Sequence, residues 1–196
     1  MESLIRTVHV AAADSGAAVE LAAVAALTFP LACPPTAAPE NIAAFVAANL
    51  SAERFADYLA DPHRAVLTAA HDGRIIGYAM LIREPGAAEL SKIYVLPAYH
   101  GGGVSTALMD RALATAGEWR ARRVWLGVNQ ANQRAQRFYA KSGFRISGTR
   151  TFRLGAGLEH DYVMVRELGQ PPPSTPAAGM WPVSTSFGIR RPASPR

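Results

Sequence analysis

A run of three glycines, Gly101 to Gly103, separates an apolar strand-like stretch from a helical pattern, and these residue types in that order can hold a phosphate. The stretch Leu90 to Leu96 stops at Pro97; after the glycines, Val104, Ala107, Leu108, Arg111 and Ala112 recur at helical spacing. Glycines let a backbone come close to a ligand, and a helix N-terminus offers unpaired N–H groups and partial positive charge. A nucleoside-triphosphate loop would read GxxxxGK[ST], and no Lys follows these glycines. A dinucleotide loop would read GxGxxG, but Thr106 stands at the third position and antiparallel-looking strands precede the loop. On these residues alone, a glycine turn with no ligand competes evenly with a phosphate cradle.

The next segment decides between them. VWLGVNQANQRAQRFYAKSGF reads as a strand, Val124 to Val128, then a helix carrying Asn132, Ala135, Phe138 and Tyr139 and ended by Gly143-Phe144. Together the two segments resemble the GNAT acyltransferases, whose pattern is V-x-P-x-x-[QR]-x-x-G-x-[GA], a strand, then N-x-x-A-x-x-[FL]-Y-x-x-x-GF. Val95, Pro97, Gly103, Asn132, Ala135, Phe138, Tyr139, Gly143 and Phe144 match. His100 stands at the Gln/Arg position and Ser105 where Gly or Ala is usual. His100 is mostly neutral near pH 7, unlike Arg, and the Ser105 hydroxyl can bond a phosphate or cap the helix. The resemblance covers roughly residues 4–168.

It implies acetyl-CoA as co-substrate, no metal, and an acetyl group moved to a primary amine by direct attack in a ternary complex. The backbone of Ile93, Tyr94 and Val95 would pair with the pantetheine arm. His100, Gly101, Gly102, Gly103, Val104, Ser105 and Thr106 would hold the pyrophosphate, and Asn132 would hydrogen-bond the arm. Tyr139 would protonate the leaving thiolate, since a phenol pKa near 10 is close to a thiol's. Read without the motif, Tyr139 is a packed aromatic on an amphipathic helix. Glu89 is the candidate base, acting through a water; the plain reading is a solvated strand-end carboxylate. His160 and Asp161 could border the acceptor channel, although strand-surface polarity explains them nearly as well.

The segments around Asn129, Phe152 and Asn49 also look like the PaiA-type polyamine-acetylating branch, which usually has Trp and Glu where this chain has Asn129 and Gln130. The acceptor classes are therefore a small amine or polyamine, or a protein lysine, and homodimerisation stays open. Glu53, Asp57, Asp61, Glu84, Glu89 and Glu159 could supply carboxylates for a polyamine. A non-catalytic acyl-CoA-binding module is the alternative from another class; it would have no need of an acid at Tyr139.

These residues must be positioned by one domain, which 196 residues with 49% hydrophobic content can build. The pattern predicts a strand at 4–10, a helix from Asp14 or Ser15 to about Leu27, and an irregular proline-rich loop through 40. Short helices at 40–48 and 51–60 follow, the second capped by Ser51. Strands at 65–70 and 74–83 are joined by the turn HDGR, and Glu84-Pro85-Gly86 turns into a strand at 88–96. Then come helix 104–120, strand 123–128, helix 131–141, and strands near 144–153 and 158–168. This α/β (α+β) order fits the GNAT fold, a mixed, mostly antiparallel sheet of six to seven strands with helices on both faces.

After Leu168 the chain changes character. The last 28 residues hold seven of the fourteen prolines and no acidic residue, and read as a disordered tail, 169–196, with Trp181 and Phe187 as its large apolar residues. Arg190, Arg191 and Arg196 carry three of the five net positive charges, so the domain itself is near +2 and no nucleic-acid partner is expected. No apolar run reaches the roughly 20 residues of a membrane span. With one cysteine, Cys33, and no secretory signal, the expected compartment is the cytoplasm. His9 and His63 have no metal-ligand spacing.

Overall fold

The computed structural model describes residues 8–154 and 157–169. The first half of the expected 4–10 strand lies outside them, as does the tail from 170 onward with Trp181, Phe187, Arg190, Arg191 and Arg196. The elements run β1 (His9–Ala12), a 3-10 turn (Ser15–Ala17), α1 (Ala18–Ala32), α2 (Pro39–Asn49), α3 (Ala52–Ala60), β2 (Arg64–His71), β3 (Arg74–Glu84) and β4 (Ala87–Val95). After a second 3-10 turn (Pro97–Tyr99) come α4 (Val104–Glu118), β5 (Arg123–Asn129), α5 (Gln133–Lys141), β6 (Arg145–Leu154) and β7 (Gly157–Glu167). The seven strands form one sheet in the order β1-β2-β3-β4-β5-β7-β6. Every pairing is antiparallel except β4 with β5. The expected mixed sheet of six to seven strands is what forms.

Local chemistry explains most boundaries. Asp72 (φ 51°) and Gly73 (φ 74°) make the two-residue turn of the β2–β3 hairpin, the left-handed pair that suits the strand twist. Ser51 Oγ accepts from Arg54 N at 3.3 Å and starts α3, as its position predicts. The proline-rich loop begins later than expected. The helix predicted to end near Leu27 continues through Pro30 to Ala32, because Phe29 is drawn into the core and stacks on Phe45 with ring centroids 4.6 Å apart. Pro30 sits in the last turn, where the bond it cannot make belongs to the carbonyl of exposed Ala26.

Ser15–Ala32 spans 18 residues at mean hydropathy 1.6, nearer the length and composition of a membrane span than the sequence reading allowed. In this fold Leu21, Val24, Ala25 and Phe29 of that helix are buried in the domain core, and the Glu20 carboxylate accepts from Ile75 N at 2.9 Å.

The core lies in two layers, one on each face of the sheet. Leu90, Val95, Val124, Leu126 and Val128 pack with Leu108, Met109 and Ala112 of α4. Tyr78, Met80 and Val66 pack with Leu21, Phe29 and Phe55 of α1 and α3 on the other face.

Two irregularities shape the site. First, β4 and β5 pair only at Ala87–Arg123, Ala88–Val124 and Glu89–Trp125 among the described residues, so the two parallel strands part beyond Glu89. Second, the β3–β4 register shifts opposite Leu90 and Lys92. One extra residue, Ser91, bulges, and Glu89, Lys92 and Tyr94 pair with Ile82, Met80 and Tyr78, which alternate on one face. Without the bulge, Glu89 and Lys92 would point to opposite faces.

Candidate active site

The parted strands open into a cavity of about 710 Å³. At one end is the glycine loop. Gly101 (φ 83°) and Gly103 (φ 80°) are left-handed, and a Cβ at either would meet nothing within 4 Å, so the loop turns an open main chain outward. Gly103 is the N-cap of α4, with no side-chain hydrogen bond closing its first N–H groups. Ser105 therefore does not cap the helix, one of the two roles its position allowed. His100, Gly101, Gly103, Ser105 and Thr106 line the cavity. Gly102 and Val104 do not line it; Val104 is a core residue whose side chain turns into the α4 layer. The His100 Nε2 lies 2.8 Å from the Val95 carbonyl oxygen, so the ring clamps the end of β4. These residues fit a pyrophosphate, held by main-chain N–H groups at a helix start. Arg134, at the start of α5, lines the same cavity and adds a cation that sequence reading missed.

The middle of the cavity is lined by Ile93, Tyr94, Val95, Asn132 and Tyr139. Asn132 Oδ1 accepts from Ala135 N at 3.0 Å, so this residue is the N-cap of α5. Its amide nitrogen makes a long contact of 3.5 Å to the Ala32 carbonyl oxygen. Tyr139 packs between Phe138 and Phe144, with centroids at 5.6 and 6.1 Å. Its ring is only partly covered, and burial pushes the phenol well above its ordinary value. The phenol is thus a weaker acid than its residue type suggests, and it stays protonated at neutral pH.

The far end is charged. Glu89, Lys92, Arg150, Glu159 and Asp161 all line it. Burial raises the Glu89 carboxyl, opposed by the charge of Arg150. Burial also raises Asp161, again opposed by Arg150. Burial pulls the Lys92 ammonium down to about 8, while Glu89 favours its charged form. Cys33 lies on the same wall, its thiol pushed up to about 11 by burial and by Glu159.

Of the carboxylates expected for a cationic acceptor, only Glu89 and Glu159 line the cavity; Asp161 joins them, and His160 is exposed at the strand surface. Glu84 accepts from the Trp125 indole at 2.9 Å, and Asp57 and Asp61 pair with Arg54 and Arg64. Lys92 and Arg150 carried no sequence signal: their motif neighbours are ordinary strand residues, and the β4 bulge that turns Lys92 inward is not written in residue types.

The sequence profile described as the acetyltransferase (GNAT) family matches residues 31–144. The chain belongs to the GNAT acetyltransferase family. It is 73% identical over 150 residues to an uncharacterized N-acetyltransferase of Mycobacterium tuberculosis, covering 76% of this chain and 96% of that one. The N-alpha-acetyltransferase RimI of the same organism is 32% identical over 117 residues, 58% of this chain and 72% of that one. Among solved structures, the PaiA N-acetyltransferase of Thermoplasma acidophilum in complex with coenzyme A superposes with a TM-score of 0.73 at 19% identity, covering 83% of this chain and 99% of that one. This GNAT protein is an N-acetyltransferase.

Proposed function

We propose that this acetyltransferase moves the acetyl group of acetyl-CoA to a cationic primary amine, a small amine or polyamine or a protein lysine, by direct attack in a ternary complex. The observation carrying this reading is that the glycine loop, Tyr139 and a carboxylate-bearing chamber share one cavity. Acetyl-CoA supplies an activated acetyl thioester. The 101–106 main chain and the α4 N-terminus hold its pyrophosphate, and Arg134 adds charge. The β4 backbone from Ile93 to Val95, left without a β5 partner by the parting of the strands, takes the pantetheine arm as a strand-like neighbour.

Glu89 takes one proton from the acceptor ammonium, directly or through a water. The raised carboxyl is a better match to that task than a solvated one. The new bond joins the amine nitrogen to the acetyl carbon; Tyr139 gives its proton to the sulfur as the C–S bond breaks, and the second proton leaving the nitrogen restores the phenol through solvent. Three carboxylates against the cations of Lys92 and Arg150 leave the chamber with an excess of acidic groups, which favours a cation over an anionic acceptor. Polyamine acetylation finds support in the segments that resemble the PaiA-type branch, and a protein amine in the likeness to the N-alpha-acetyltransferase RimI. A thiol-release assay with acetyl-CoA against polyamines, aminoglycosides, amino acids, hydrazides and lysine peptides tests the reading. Turnover with a cationic amine is expected; acetyl-CoA binding without thiol release for any amine would leave an acyl-CoA-binding module.

A further inference from the structure

Arg150 comes from β6, the far edge strand of the sheet, yet it reaches the base on β4. Its Nε lies 3.3 Å from Asp161 Oδ2 on the neighbouring strand β7. Its Nη1 lies 3.7 Å from Glu89 Oε1. Between them it crosses β5, where its guanidinium carbon lies 5.5 Å from the Trp125 ring centroid. That crossing depends on one residue. A Cβ at Gly127 would collide with the Arg150 guanidinium at Nη2, Cζ and Nε. Gly127 has no left-handed backbone to explain it. Its missing side chain leaves the notch in which the arginine lies. The pairings put Arg150 opposite Asp161, Asp161 opposite Asn129, and Glu89 opposite Trp125, so all lie on one face of the sheet.

We propose that Arg150 is a positioning residue of the acceptor site: seated in the Gly127 notch and anchored by Asp161, it orients the Glu89 carboxylate and holds it in its charged form. This rests on Glu89 being the base. Glu89 also faces Glu84 from β3, which disfavours its charge, and Lys92 on β4 and Arg64 on β2, which favour it. Burial is the largest influence and the net direction is upward even with Arg150 in place, so removing Arg150 leaves the carboxylate in a chamber that favours its protonated form. Its proton would then leave at higher pH. A guanidinium is suited to this place because it binds two carboxylates with one planar fork and also lies against an aromatic face.

The test uses full-length protein carrying 13C-carboxyl glutamate, with Glu89 assigned by the resonance that disappears in Glu89→Gln. Its titration midpoint should rise by about one pH unit in Arg150→Met. Gly127→Ala should give a similar rise with Arg150 still present, because the flexible end of that side chain is what must move. Arg150→Lys should restore part of the shift. The acidic limb of the kcat/KM profile should move with the midpoint. An unmoved midpoint in Arg150→Met, or a wild-type midpoint in a folded Gly127→Ala, overturns the proposal. Failure of the base reading looks different: Glu89→Gln would keep the wild-type acidic limb while the resonance still shifts in the arginine variant.

Discussion

The glycine loop and the charged chamber lie at two ends of one cavity and are built by opposite means. The loop is contiguous: His100, Gly101, Gly103, Ser105 and Thr106 line the cavity from one stretch of chain, with the main chain open at the two glycines. The chamber is assembled: Glu89, Gly127, Arg150 and Asp161 come from β4, β5, β6 and β7, and what matters is which side chain lies over which. A main-chain site tolerates changes of residue type so long as the backbone shape survives. A side-chain site fails when a single charge or a single Cβ is altered. The contrast also fits the proposed function, in which one end holds a pyrophosphate, the same in every turnover and matched by N–H groups at a helix start, and the other an acceptor singled out by placed charges.

Tyr139 sits at the seam, and the largest effect is expected there. Tyr139→Phe keeps the ring between Phe138 and Phe144 and removes only the hydroxyl. We expect kcat to fall about 10²-fold, with acetyl-CoA affinity and Tm little changed. A folded variant with wild-type kcat would return Tyr139 to the core. The raised phenol also predicts that Tyr139 stays protonated well into alkaline pH, so the alkaline limb of the wild-type profile should not be set by this residue at pH 10.

The loop is next. Gly103→Glu strains a left-handed N-cap at φ 80° and aims a carboxylate at the phosphates. Calorimetry should show the Kd for acetyl-CoA rising at least ~10-fold, about 1.4 kcal/mol. Ser105→Ala, which alters only a side chain in the same loop, should raise Kd by no more than about threefold. Equal losses in the two variants would break the contrast between main-chain and side-chain recognition.

Lys92 sharpens the comparison from the chamber's side. Its native value, about 8, lies below the ordinary 10.5. Between these values the unfolded chain holds more protons, so stability should rise with pH through that window. Below it, the native protein carries a buried ammonium at a cost. Lys92→Met keeps an apolar stem and should stabilise the protein by about 1–2 kcal/mol at pH 7, with the loss of attraction to Glu89 offsetting part of the gain. The difference should shrink toward zero by pH 10.5. Urea denaturation at pH 7 and pH 10.5 reads both values; a destabilised variant at pH 7 would mean the ammonium is well solvated. Among these effects, the Ser105→Ala change in Kd is the smallest.

The order of elements was legible because it rests on local chemistry. Gly and Pro punctuation, the Asp72-Gly73 turn, the Ser51 cap and the period of the apolar residues act over a few positions, and the chain obeys them. The motif residues Val95, Gly103, Asn132 and Tyr139 lie within two neighbouring strand–helix units, so their spacing along the chain already carries their spacing in space. Where local signals met long-range packing, packing prevailed: Phe29 drew α1 past Leu27 and through Pro30. The chamber was decided by tertiary structure alone. Arg150 and Glu89 are far apart in sequence, and no propensity joins them. They meet because the sheet order places β7 and β6 beyond β5, because Ser91 bulges and turns Lys92 onto the face of Glu89, and because Gly127 leaves room for a guanidinium. A residue's type determines what charge it can carry; strand order, register and a missing Cβ determine which other charge it meets.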